Sequence, residues 1–177
     1  MKKQSNLLNL SLSAMFLALA YVIPFLTGQV PQIGAMLCPM HIPVILCGFI
    51  CGAPWGLVVG FVAPLIRSLT LGMPPFYPVA FAMAFELAAY GFTSGILYRI
   101  FPKKNGYIYC SLIISMIIGR LVWGAVQFAC MGFDTSEFGF SAFLAGAVTN
   151  ALPGIIFQIV LIPVIIMILK KSKIKFI

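Results

Sequence analysis

Four ionisable side chains lie within long apolar runs of this sequence: His41, Arg67, Glu86 and Arg120. Ionisable groups at membrane depth are costly, and they usually pair with one another or serve a functional site. Glu86 and Arg120 lie near the middle of their respective runs, at matching depths. Two interpretations are open for them: a mutual ion pair that joins two helices, or contact of one of them with a ligand.

Arg67 lies four residues before the end of its apolar run and has no carboxylate at its own depth in any run. It either extends its charged head to the outer interface or receives an anion, since a guanidinium binds a carboxylate through two parallel hydrogen bonds. His41 is the only histidine. It is either a packed, hydrogen-bonded residue or a neutral donor to a substrate.

Arg120, Trp123 and Gln127 follow the spacing i, i+3, i+7 and share one face of a helix. Trp123 offers a stacking plane, unless it belongs with Tyr77 to the aromatic belt of the membrane interface; it lies deep for that role. Gln127 offers both a donor and an acceptor. The polar residues predicted in the outer half of the molecule are His41, Arg67, Tyr77, Gln127 and Asn150.

Motifs for catalysis are missing from the sequence. It contains no zinc-protease, nucleophile-elbow or phosphate-binding loop motif, which excludes ATP hydrolysis by this chain alone and gives intramembrane catalysis little support. Of its five cysteines, Cys47 and Cys51 are one helical turn apart, but no histidine or carboxylate accompanies them. We interpret the cysteines as small apolar residues and predict neither a metal nor a cofactor.

The composition places these residues in a membrane protein. Of 177 residues, 62% are hydrophobic and 8% are charged, which excludes an ordinary soluble domain. Apolar runs and their Gly/Pro breaks predict an all-α membrane protein of six spans in a single domain, 1–177, with a short second span. The predicted spans are 7–26, 40–52, 55–71, 76–98, 107–131 and 142–169.

The charges predict how the chain is oriented. With six spans, both termini share a side with the basic turn at 99–104, and nine of the eleven Lys and Arg residues then lie there. The predicted outer loops at 27–39, 72–75 and 132–141 contain no basic residue. The positive-inside rule therefore predicts cytoplasmic N- and C-termini in a multi-pass protein of the cell membrane.

Small residues recur four apart along the predicted spans. Such stripes allow helix backbones to approach closely in lipid, where no hydrophobic force drives association. They comprise Ala14 and Ala18; Gly48, Gly52, Gly56 and Gly60; Gly91 and Gly95; and Ala142, Gly146, Asn150, Gly154 and Gln158.

The sequence resembles the substrate-binding (S) components of energy-coupling factor (ECF) vitamin transporters over nearly its whole length. The resemblance rests on size, six spans, basic cytoplasmic ends and the motif Ala14-Met15-Phe16-Leu17-Ala18. The segments 26–34 (LTGQVPQIG), 39–44 (PMHIPV) and 67–75 (RSLTLGMPP) look like those of the pantothenate-type subgroup.

The resemblance implies a subunit that binds a vitamin from outside with high affinity, beneath a lid formed by 27–39. Ala14 and Ala18 would contact a membrane coupling subunit driven by two ATPase subunits, and the whole binding subunit would topple to release its substrate inside. The predicted substrate-binding residues are Gln32, His41, Arg67, Tyr77, Glu86, Arg120, Trp123, Gln127 and Asn150.

The sequence leaves three hypotheses of function open. The leading one is a non-enzymatic importer subunit for pantothenate or another small carboxylate-bearing vitamin, since Arg67 favours an anion; the same transporter class could instead serve riboflavin, a pyrimidine or a queuosine-type precursor. A second reading is an intramembrane enzyme that uses Glu86, Arg120 and His41 on a lipid-like substrate. A third is a self-sufficient secondary carrier.

Overall fold

The computed structural model describes residues 6–27, 36–102, 104–131, 143–149 and 151–171, and they form helices without any strand. A 3-10 turn at Ile23–Thr27 follows the first helix, and single π-helical turns at Phe76–Ala80 and Ala145–Thr149 precede the fourth and sixth. The helices are α1 (Asn6–Val22), α2 (His41–Cys51), α3 (Ala53–Leu71), α4 (Phe81–Ile100), α5 (Asn105–Cys130) and α6 (Leu152–Lys171).

Five segments of the described chain are long and apolar enough to cross a membrane. They contain α1, α3, α4, α5 and α6, which confirms the predicted all-helical membrane protein. The second predicted span is α2, whose 11 residues extend only about 16 Å, about half the thickness of a bilayer's hydrocarbon core. The last predicted span, 142–169, begins with a π-helical turn, and its regular helix starts only at Leu152.

Helix α2 is the centre of the bundle. Every one of its residues is buried, and it packs against α1, α3, α4 and α6. A helix that is apolar on all sides is expected in such a position, and only His41 at its N-terminus carries an ionisable group other than a thiol. The bundle therefore encloses the His41 side chain on all sides.

Glycines bring α2, α3 and α4 into backbone contact. A methyl group added at Gly91 of α4 would overlap the backbone of Gly56 in α3, and one at Gly48 of α2 would overlap the Gly91 carbonyl. Gly52 joins α2 to α3 with φ 93°, a conformation that side-chain-bearing residues rarely adopt. The predicted glycine stripes thus mark a real crossing, which fixes the height of α4 relative to α2.

Helix α1 covers one side of the bundle. Its buried face contacts α2 and α3 and consists of Asn9, Ser13, Phe16 and Ala20. Ala14 and Ala18 lie on the opposite, exposed face. This placement leaves a flat strip of small side chains on the outside of the molecule.

Candidate functional site

The carboxylate of Glu86 is the centre of a buried polar cluster. The residue is 1% exposed, and its Oε1 lies 2.9 Å from Nη1 of Arg120, 3.4 Å from Nε2 of His41 and 3.2 Å from the Tyr90 hydroxyl. Tyr90 follows Glu86 by one turn of α4, so both side chains point the same way. Three helices, α2, α4 and α5, therefore contribute to the cluster.

Arg120 connects this cluster to the segment before α2. Its Nη2 donates to the Cys38 sulfur at 3.5 Å. The Cys38 backbone has φ 46°, and its carbonyl accepts a 3.5 Å hydrogen bond from Nε2 of Gln158 in α6. Gly119 makes the approach of α5 possible, because a side chain there would overlap the Tyr90 ring.

The structure resolves one of the alternatives left by the sequence: Glu86 and Arg120 do form an ion pair. The pair nonetheless leaves polar atoms for a ligand. Among the residues that the structure describes, the buried Nδ1 of His41, Nε of Arg120 and Oε1 of Gln127 have no hydrogen-bond partner. Because such groups are normally satisfied in a folded protein, each calls for a partner, such as a ligand or water.

Arg67 lies at a different contact, between α3 and α1. Its Nη1 donates to the Tyr21 carbonyl at 2.9 Å, and its guanidinium lies over the Phe25 ring at 5.2 Å. Pro24 has no N–H, so it cannot supply the hydrogen bond that a 3-10 turn would otherwise give to Tyr21. Arg67 is 4% exposed and pairs with no carboxylate in the described part of the chain, so it does not extend to the interface.

Trp123 and Gln127 lie on α5 beyond Arg120, as their spacing predicts. Gln127 is buried. Trp123 stacks on Phe143, with ring centroids 6.3 Å apart, and it fills the space above Gly146. Trp123 therefore contacts the turn before α6, and its indole lies next to the polar face of α5.

Tyr77 lies apart from the cluster, on the surface. It is 62% exposed, and its hydroxyl donates to the Cys130 carbonyl. An open apolar groove of about 500 Å³ adjoins it, lined by residues such as Phe81, Phe85 and Ala129. This placement fits an aromatic residue at the rim of the bundle.

Two predicted site residues, Gln32 and Asn150, lie outside the described residues, as does most of the predicted lid. Three members of the cluster were not predicted as site residues: Cys38, Tyr90 and Gln158. The i, i+4 spacing of Tyr90 from Glu86 was a readable signal, and Gln158 stands in the small-residue stripe of the last span. Nothing in the sequence singles out Cys38, because the left-handed backbone there presents its sulfur to Arg120 and its carbonyl to Gln158.

Among the described residues, no group of three or more His, Cys, Asp or Glu side chains could hold a metal ion. Hydrogen bonds and one internal ion pair hold the cluster together. Buried polar groups of fixed geometry within apolar helices are what a small-molecule site requires.

A family model for the substrate-specific component of ECF transporters matches residues 8–166. No curated protein and no solved structure matches the chain significantly. Family members bind the substrate of a transporter and are not enzymes, and they associate with an ECF module of a membrane subunit and ATPases. With a match over most of its length and helices suited to span a membrane, the chain belongs to the ECF transporter substrate-specific components.

Proposed function

We propose that this chain captures a small carboxylate-bearing vitamin, with pantothenate as the leading candidate, for import by an ECF module. The observation that carries the proposal is the Glu86–Arg120–His41 cluster, whose buried polar atoms lack partners in the described chain. Such a site would bind and release a ligand unchanged, as members of the family do.

The charges of the described helices favour an anion as the substrate. The described helices contain two buried or nearly buried guanidinium groups, Arg67 and Arg120, but only one buried carboxylate, Glu86. Arg120 is compensated by Glu86, whereas Arg67 has only a carbonyl and an aromatic ring as partners. A buried charge without a counter-charge is unfavourable, so we assign the substrate carboxylate to Arg67.

The proposed orientation is the one predicted from the charges. In this orientation the chain forms a single domain that crosses the membrane six times, with α2 in the second crossing and both termini cytoplasmic. The N-terminus of α2 and the C-terminus of α5 then face outside, and the cluster lies in the outer half of the bundle, where a vitamin enters.

The test is ligand retention by the purified chain. We expect mass spectrometry of the denatured protein to release one carboxylate-bearing vitamin in a near-stoichiometric amount. A matched variant, Glu86→Leu with Arg120→Met, replaces the ion pair by apolar groups of similar size, a change that folded proteins often tolerate. It should keep the fold and lose the ligand.

The proposal would be contradicted by retention of a neutral vitamin, by equal retention by the double variant, or by ion-driven uptake in vesicles that contain this chain alone. The last would indicate a secondary carrier. Turnover of a lipid-like substrate by the purified chain would equally exclude a pure binding subunit.

A further inference from the structure

The Glu86–Arg120 pair also indicates which part of the substrate lies deepest. Resting on the proposed function, we infer that the inner end of the substrate is uncharged and carries both a hydrogen-bond acceptor and a donor, as an amide or a hydroxyl beside a carbonyl does. This end contacts Arg120 and His41, and the substrate carboxylate lies elsewhere.

The first argument is charge balance. Glu86 accepts from three donors on one oxygen, an arrangement that favours its ionised form. Glu86 and Arg120 therefore neutralise each other, with side chains 2% and 15% exposed. A second carboxylate here would give the cluster a net negative charge inside the bundle, which is costly at membrane depth.

The second argument is the direction of the open hydrogen bonds. An ionised carboxylate only accepts, so Nε2 of His41 must carry the proton toward Glu86. In the neutral ring Nδ1 is then an acceptor, and it is buried without a partner in the described chain. Nε of Arg120 is always a donor, and it too is buried without a hydrogen-bond partner in the described chain.

The third argument is proximity. Nε2 of His41 and Nη1 of Arg120 bind the same oxygen of Glu86, so the open nitrogens of both side chains belong to the same cluster. We infer that a single group with a carbonyl for Arg120 and an N–H or O–H for His41 would satisfy both. Gln127 lies seven residues farther along α5, about 10 Å outward, where it can meet the middle of an extended molecule.

The test uses two probes that differ at one end only: pantothenate, and pantothenol, in which an uncharged alcohol replaces the carboxylate. Their affinities are measured by titration calorimetry for the full-length chain and for His41→Phe and Arg120→Lys. His41→Phe keeps a ring but removes Nδ1, and Arg120→Lys keeps the charge opposite Glu86 but removes Nε. The ratio of the two dissociation constants reports the carboxylate alone.

We expect each variant to bind both probes about 10- to 100-fold more weakly. This is the effect of losing one hydrogen bond that involves a charged or buried partner. The ratio should stay at its wild-type value, because the carboxylate does not touch this end. Tyr90→Phe is the comparator: it removes one Glu86 donor but no open atom, so it should weaken both probes less than His41→Phe does.

The inference is overturned if the ratio falls toward one in His41→Phe or Arg120→Lys, because the carboxylate would then lie at the cluster while the proposed importer function stands. It is also overturned if His41→Phe binds both probes as the wild type does. If the wild-type chain binds neither probe, the pantothenate assignment falls first, and this inference falls with it. Thermal unfolding of each variant in detergent identifies any loss that is due to misfolding.

Discussion

At the scale of single residues, one oxygen of Glu86 accepts hydrogen bonds from Arg120, His41 and Tyr90 and so fixes the orientation of these side chains. The 2.9 Å contact with Arg120 holds the guanidinium plane, and the Tyr90 hydroxyl and the His41 ring hold the carboxylate. Removing one member of a buried ion pair leaves an uncompensated charge. The cluster is therefore both a structural joint between α4 and α5 and the floor of the proposed site.

Arg67 yields the prediction at this scale. Arg67→Ala removes a charge-assisted hydrogen bond to the Tyr21 carbonyl and the contact with Phe25, which should lower the free energy of unfolding by about 2 kcal/mol. It also removes the proposed carboxylate partner, so pantothenate should bind about 10- to 100-fold more weakly. The affinity for pantothenol, which lacks the carboxylate, should fall much less.

The matched variant is Arg67→Lys, which keeps the charge but not the planar fork. Compared with Arg67→Ala, it should restore a larger share of the lost pantothenate affinity than of the lost thermal stability. If Arg67→Ala weakens both probes equally, then Arg67 only anchors the end of α1, and the carboxylate receptor must be sought elsewhere.

At the scale of helices, glycine contacts between α2, α3 and α4 determine whether Glu86 and His41 meet. Glu86 precedes Gly91 by five residues on α4, and His41 precedes Gly48 by seven on α2. Because Gly48 and Gly91 lie against each other, the crossing point sets the axial register of both polar side chains. A shift of α4 by even part of a turn would separate them.

Gly91→Ala tests this register. The added methyl group would overlap the backbone of Gly56, and since backbone cannot rotate away, we expect a loss of about 1–3 kcal/mol in stability together with reduced ligand affinity. Gly106→Ala is the control: nothing lies within 4 Å of its added carbon, and alanine favours the helix by about 0.5–1 kcal/mol. Equal melting temperatures for the two variants would show that the crossing is not tight.

At the scale of the whole molecule, two features lie in different places: the buried polar cluster within an apolar core, and the exposed strip of Ala14 and Ala18. The strip faces away from the contacts of α1 with α2 and α3, so it is available to another membrane protein. Small residues at such positions allow close helix packing in lipid. We therefore assign this strip to the coupling subunit of the ECF module.

Ala14→Trp or Ala18→Trp should leave vitamin binding within about twofold of wild type, since the change lies outside the bundle, yet abolish uptake in cells that carry the module. Val160→Trp is the control: that residue is 61% exposed on α6, and a larger side chain there should face lipid without consequence. Normal uptake by both alanine variants would place the coupling surface elsewhere.

The sequence by itself determined the class of the molecule. Long apolar runs, glycine stripes and a basic excess at the predicted cytoplasmic ends depend only on local composition and period, and five of the predicted spans correspond to helices long enough to cross. The matching depths of Glu86 and Arg120 also followed from counting residues, because helix rise is constant.

Only the tertiary structure decided which polar side chains meet. Depth alone places Arg67 and Tyr77 alongside His41, but rotation about the helix axes directs Arg67 toward α1 and Tyr77 toward the surface. Cys38 contacts Arg120 through its sulfur and Gln158 through its carbonyl, and the left-handed backbone at Cys38 is not predicted by residue type. The rotation and axial register of the helices arise from contacts between residues far apart in the sequence, such as Gly91 against Gly56. A local sequence pattern does not predict which residues make such contacts.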